Sequence, residues 1–177
     1  MRLPNTFRQT SLPGMTPLTE QEIRAAFVNC TKGETKRLYV PRDLAGRPWD
    51  DLDFLGWRDP QSPARAYLVT ELAGRPAAVA LRCPDAAARH LRRNMCSICL
   101  TAPQAGVSLM VAPKAGRAGQ QGNSVGTYLC SELACSLYVR GKKDPGPGAR
   151  LQESLTLQEK TARTRAAIAA FVAKVTG

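Results

Sequence analysis

Apolar positions along this chain change their period several times, and each change marks an element. Through residues 1–17 they follow no period and Pro4, Pro13 and Pro17 interrupt them, which predicts a flexible leader without a core of its own, ahead of one domain over 18–177. Thr19-Glu20-Gln21-Glu22 then supplies a threonine N-cap with a glutamate three residues on, and Ile23, Ala26 and Phe27 share one face, predicting a helix over 19–29. Lys36-Arg37-Leu38-Tyr39-Val40, stopped by Pro41, reads as a short strand. From Pro48 to Trp57, proline at a first helical position, the acids Asp50, Asp51 and Asp53, and Gly56 near the end predict a short helix. First-turn carboxylates beside a helix dipole explain those acids better than a divalent-ion cluster does, and Trp49 and Trp57 read as packing anchors.

Two β-rich runs, 66–72 and 77–82, flank Ala73-Gly74-Arg75-Pro76 and predict a hairpin with a glycine-bearing turn. Asp85 to Arg93 reads as a short helix or turn. Residues 106–112 and 125–129 predict a second strand pair across a glycine-rich loop, Pro113 to Ser124. That loop lacks the Lys-Ser/Thr ending and following helix of a phosphate cradle. After the breaker-rich stretch 141–148, residues 154–175 predict a long helix with Leu157, Ala162, Ile168, Phe171, Val172 and Val175 on its apolar stripe, packed as a terminal element. The whole pattern is α+β: a small antiparallel sheet, a finger, and a long C-terminal helix.

Composition changes this picture in two ways. Aromatic residues are only 6% of the 177, so Leu, Val and Ala must fill most of the core. Residues 1–88 carry 12 Lys/Arg against 10 Asp/Glu, whereas residues 89–177 carry 13 against 4, so the second half holds +9 of the +11 net charge. A field of that sign favours RNA, a ribosome surface or an acidic protein, and it speeds encounter more than it fixes specificity. No apolar run resembles a secretory signal or approaches the roughly 18 residues of a membrane span, so a cytoplasmic location without a membrane partner is expected.

The candidate chemistry lies in that basic half. Cys96-Ser-Ile-Cys99 and Cys130-Ser-Glu-Leu-Ala-Cys135 have the spacing of a single tetrahedral zinc site, because a two-residue gap lets one tight turn present two sulfurs, and a turn running into a helix can present the others. The thirty residues between the pairs allow a β-hairpin to bring the second beside the first, as in a treble clef or ribbon-like finger. Disulfides, a redox dithiol and unrelated thiols are the alternatives; a reducing compartment and the joint occurrence of two pairs favour one structural Zn²⁺. His90 stands six residues before Cys96, but four cysteines already complete a closed cage with no open position for water. Cys30 and Cys83 stand alone and read as small buried hydrophobes. Neither a nucleophile elbow nor a paired-acid motif stands out, so the reading is a protein that is not an enzyme and has no small-molecule substrate.

Leu52-Asp53-Phe54-Leu55-Gly56-Trp57-Arg58-Asp59, the Tyr67 hairpin, Cys96-x-x-Cys99, Gly122-Asn123-x-x-Gly126-x-Tyr128-x-Cys130 and Cys130-x4-Cys135 follow one another over roughly 18–175. In these landmarks the chain resembles the elongation factor G-binding (FBP, or FusB-type) treble-clef zinc-finger family. The resemblance implies a zinc protein, with Cys96, Cys99, Cys130 and Cys135 as ligands, that grips the ribosomal translocase and, in its resistance-conferring members, frees it from ribosomes stalled by fusidic acid. Those members carry an additional N-terminal helical bundle, which the short leader here is not expected to provide. By position, the residues expected to face elongation factor G are Ile98 at the knuckle, Lys114 and Arg117 in the loop, Tyr128 beside the second cysteine pair, and Arg140, Lys142 and Lys143 after it. Direct binding to ribosomal RNA is the competing expectation.

Overall fold

The computed structural model describes residues 12–83 and 95–177, so the expected element at 85–93 and His90 lie outside the described residues. Five strands form one antiparallel sheet in the order β1-β2-β3-β4-β5: β1 is Phe54–Arg58, β2 Arg65–Leu72, β3 Arg75–Arg82, β4 Val107–Pro113 and β5 Ser124–Cys130. Helices α1 (Glu20–Ala25) and α2 (Lys32–Arg37) precede the sheet, α3 (Gly116–Gln120) joins β4 to β5, and α4 (Cys135–Val139) and α5 (Leu157–Thr176) follow it. The α+β class, small antiparallel sheet and long C-terminal helix all match the sequence pattern.

Strand alternation divides the core between the two faces of the sheet. Phe54, Leu68, Val79, Leu81, Met110 and Leu129 face α5, which buries Ile168, Phe171, Val172 and Val175 against them, and the paired cysteines complete that layer. Leu55, Trp57, Tyr67, Val69 and Ala78 face the other way, where Met15, Ile23, Phe27, Leu38, Trp49 and Leu52 cover them. Full burial of a side chain such as Ile23 contributes about 1.5–3 kcal/mol. Both tryptophans are anchors as expected, and each indole N–H finds a carbonyl, Trp49 that of Leu44 and Trp57 that of Tyr39, both at 2.8 Å.

Several local expectations are corrected. The stretch 36–40 is not a strand, because a second capping box, Thr31 with Glu34, starts α2, and only after Leu38 does the chain extend toward buried Val40. The helix expected over 48–57 is a single 3₁₀ turn, Trp49–Asp51, followed by β1, whose pairing with β2 from Phe54↔Thr70 to Arg58↔Ala66 outweighs the helical cues. α1 stops at Ala25, since Ala26 O and Val28 N bond to Ala78 of β3 at 2.9 Å each. The β2–β3 turn is only Ala73-Gly74, both with positive φ (49° and 74°), the signature of a tight two-residue hairpin. The supposed plain loop at 113–124 contains α3. On α5 the stripe shifts: Ala162 is exposed, while Thr161 and Thr164 are buried.

Leader residues 12–17 also take part in the core. Met15 is buried, and its N–H lies 3.0 Å from Trp49 O and 2.9 Å from Leu52 O. Gly14 makes this approach possible, because a Cβ there would stand 2.0 Å from Trp49 O.

Candidate metal centre

The β4–β5 hairpin delivers the second cysteine pair. Cys130 is the last residue of β5, the turn Ser131–Ala134 is closed by Leu133 N–H to Cys130 O at 2.8 Å, and Cys135 opens α4. The first pair sits on a knuckle tied across the edge of β5: Ser97 N–H donates to Tyr128 O (2.9 Å), Cys96 N–H to Thr101 O (2.8 Å) and Leu100 N–H to Cys96 O (3.0 Å). Leu100 and Leu133, one in each ligand turn, hold left-handed φ values of 53° and 60°. For a residue with a Cβ that conformation costs about 1–2 kcal/mol, so the turns need an external reason to keep it.

The four sulfurs supply one. All lie within 4.8 Å of one another, and all four residues are buried. Cys96 and Cys135 sulfurs are 3.6 Å apart and those of Cys99 and Cys130 3.4 Å, far beyond the roughly 2.05 Å of a disulfide. Four sulfurs at about 2.3 Å from one tetrahedral ion would be about 3.8 Å apart, close to these separations. Ile98 N–H points at Cys96 Sγ (3.4 Å), and the Thr101 hydroxyl lies 3.0 Å from Cys99 Sγ, so both sulfurs have second partners of the kind that orient metal ligands. Hydrogen bonds from Cys130 and then Cys135 hold the Cys96 and Cys99 thiols below their usual range, while the same cluster, led by Cys130, and burial push the Cys135 thiol up. The buried all-sulfur donor set therefore fits zinc. The four chain positions expected as ligands are the four that converge.

The residues expected to face a partner fare differently. Ile98 is 3% exposed and packs in the core, because its N–H and side chain both turn inward at the knuckle. Arg140 is also buried: its Nη2 lies 2.7 Å from Asp53 Oδ1, and Nη1 reaches Leu12 O at 3.3 Å. Asp53, expected on a helical turn, is instead the buried carboxylate joining α4 to α5, since Arg165 Nε reaches the same oxygen at 2.8 Å and its Nη2 also donates to Pro13 O. Lys142 and Lys143 are exposed but engaged, Lys142 with Asp51 at 3.5 Å and Lys143 with Glu132. Tyr128 is 43% exposed, and its register partner Leu109, which sequence reasoning missed, is equally so. Almost every residue of β4 is apolar, so only the alternation of its partner β5, with Ser124, Gly126 and Tyr128 outward, could have shown that Leu109 faces solvent. Lys114 and Arg117 lie beyond the opposite end of the hairpin, past the Pro113↔Ser124 pair, and form no single patch with Tyr128.

Among the described residues, no helix is long and apolar enough to cross a membrane. No curated protein matches the chain. The solved structure of the fusidic acid resistance protein FusC is similar in fold, with a TM-score of 0.59 at 14% identity over 92% of this chain. The chain spans 60% of that structure's length. The family model described as the FBP C-terminal treble-clef zinc-finger matches residues 22–175, a span holding all four clustered cysteines, and the chain belongs to that family.

Proposed function

We propose that this protein is a zinc-stabilised, non-catalytic adaptor that binds elongation factor G and alters how long the factor stays on the ribosome. The observation that carries this reading is the family match running through the cysteine cluster from residue 22 to 175. The fold of FusC, a fusidic acid resistance protein, supports it. A single ion bound by Cys96, Cys99, Cys130 and Cys135 supplies structure by fixing the knuckle and the turn into α4, with no open position for a reacting group. Leu109 and Tyr128, half-exposed side by side next to the knuckle, offer an apolar centre for a protein interface, with Lys142 and Lys143 as charged groups at the surface after α4. Binding then acts by favouring one conformation of the factor, and its effect is bounded by the difference in affinity between conformations.

Titration calorimetry against purified elongation factor G tests this directly. Micromolar or tighter binding, weakened by Tyr128→Ala and abolished when zinc is stripped, is the expected result; no binding at that level removes the proposal. The +9 charge of residues 89–177 favours a second reading, contact with ribosomal RNA through phosphates. Salt separates the two, since phosphate-dominated binding falls steeply and linearly on a log–log salt plot, whereas an interface with an apolar centre falls less.

A further inference from the structure

The sheet opens between β3 and β4, which share only the pair Arg82↔Val111. Asn29 closes the gap with its side chain: Nδ2 donates to Ala80 O and Pro113 O at 3.0 Å each, and Oδ1 accepts from Ala80 N–H at 2.8 Å. Beside this bridge lies a cavity of about 270 Å³, on the side of the sheet where α2 packs, lined in part by Cys30 and away from the four clustered cysteines. Its walls include Leu38, Tyr67, Leu81 and Pro113, and three arginines, Arg37, Arg65 and Arg82, also line it.

All three arginines are exposed at the mouth of the cavity. Arg65 and Arg82 are register partners on neighbouring strands, and like charges directly opposite each other destabilise a sheet. Among the described residues none of the three forms a close ion pair, although the charges of Arg37 and Arg65, behind the Thr31 backbone N–H and hydroxyl, help hold Glu34 below its usual range and Arg65 also acts on the Tyr67 hydroxyl. The two carboxylates that also line the cavity are already committed. Glu34 Oε2 takes Thr31 N–H and Oγ1 at 2.7 and 2.8 Å. Asp59 Oδ1 takes the N–H groups of Gln61 and Ser62, and its Oδ2 takes the Tyr67 hydroxyl. The cavity lining thus carries three guanidinium groups against these two carboxylates, a net charge of +1, beside an apolar and aromatic wall.

We propose that this cavity binds a small phosphate monoester as a ligand, the phosphoryl group held by Arg65 and Arg82 with Arg37 at the rim, and a compact ring or chain laid against Tyr67 and Leu38. Arginine forks match phosphate oxygens two at a time, and a monoester carries close to two negative charges near neutral pH, enough to offset the Arg65–Arg82 repulsion. The volume lies near the small end of ligand cavities and limits the organic part to about one ring.

Phenyl phosphate, inorganic phosphate and phenol serve as probes in calorimetric and ³¹P NMR titrations of the full chain loaded with zinc. Saturable one-to-one binding of phenyl phosphate, tighter than inorganic phosphate and absent for phenol, is expected. The double variant Arg65→Gln/Arg82→Gln loses about tenfold or more of that affinity. Without ligand, Arg82→Gln melts at the same temperature as the parent or higher, because a repulsion has been removed. Two results overturn the proposal: no saturation below about 10 mM phenyl phosphate, or equal affinity in parent and double variant, which means an adventitious ion only. Zinc content and elongation factor G binding are measured on the same variants and stay unchanged, so this inference and the adaptor reading fail separately.

Discussion

The two faces of the sheet hold their short elements by different means. On the N-terminal face, α1 and α2 are each six residues long and each begins with a complete capping box, and they lie over a cluster in which Tyr67 meets Phe27 edge-on at 5.9 Å and Trp57 at 5.5 Å. On the cysteine face, α4 has five residues, no side-chain cap and a ligand at its first position, and the turns on which its site depends contain left-handed leucines. A five-residue helix without a cap has no stability of its own. The short helices of one face thus rest on local capping and aromatic packing, whereas on the other, beside the independently capped α5, α4 and the ligand turns rest on a centre whose donors come from two distant turns. A shared sheet can carry both because each face needs only alternate residues of every strand.

The largest expected effect is on the cysteine face alone. Cys130→Ser removes a fully buried donor shared by the hairpin and the turn, so zinc content falls to near zero and the cysteine half unfolds, consistent with the roughly 10–16 kcal/mol that structural zinc contributes in small fingers. Metal analysis with thermal denaturation, with and without chelator, checks it. Unchanged melting in the chelated parent protein would show that the two faces do not differ in this way.

Trp57→Ala probes the other face. Loss of a 6% exposed indole and its bond to Tyr39 O costs about 3–5 kcal/mol in denaturant unfolding, while one zinc per folded chain is retained. Gly56→Ala links the faces, because a Cβ at this strand position stands 2.5 Å from Leu133 Cβ in the ligand turn. Overpacking there costs about 1–3 kcal/mol and, unlike the Trp57 change, weakens zinc retention in a chelator competition.

The smallest effect is a cap. Thr31→Ala costs about 1 kcal/mol, read as a shift in denaturant midpoint with zinc binding untouched. The Thr31 backbone N–H and then its hydroxyl hold Glu34 below its ordinary value of 4.5. A depressed carboxylate stabilises fully above the unfolded pKa and loses that contribution as pH falls through the folded one. Because Thr31→Ala keeps the backbone N–H and loses only the hydroxyl, only the hydroxyl's part of the parent's advantage shrinks as pH falls below about 4.5.

Legibility in the sequence followed the range of the causes. Thr19 with Glu22, the hairpin around Ala73-Gly74 and the cysteine spacings act over a few residues, and the elements and donors they predict are present. Phe54–Arg58 failed as a helix because its partner β2 lies a whole turn away in sequence, and that ladder outweighs a proline and three acids. Ile98 and Arg140 failed as surface residues for the same reason, since burial at the knuckle and the pairing of Arg140 with Asp53, 87 positions away, are contacts that no local window contains.

By itself, then, the order of residues determined the α+β class, the four sulfur donors and the basic second half, because capping, period and ligand spacing are short-range and chemistry-specific. Only the tertiary structure decided which side chains remain at the surface, how Asp53 joins α4 to α5 through two arginines that also reach the leader, and that three arginines meet over one cavity. Those outcomes depend on which strands become neighbours, a collective minimum of burial and hydrogen bonding that no single segment encodes.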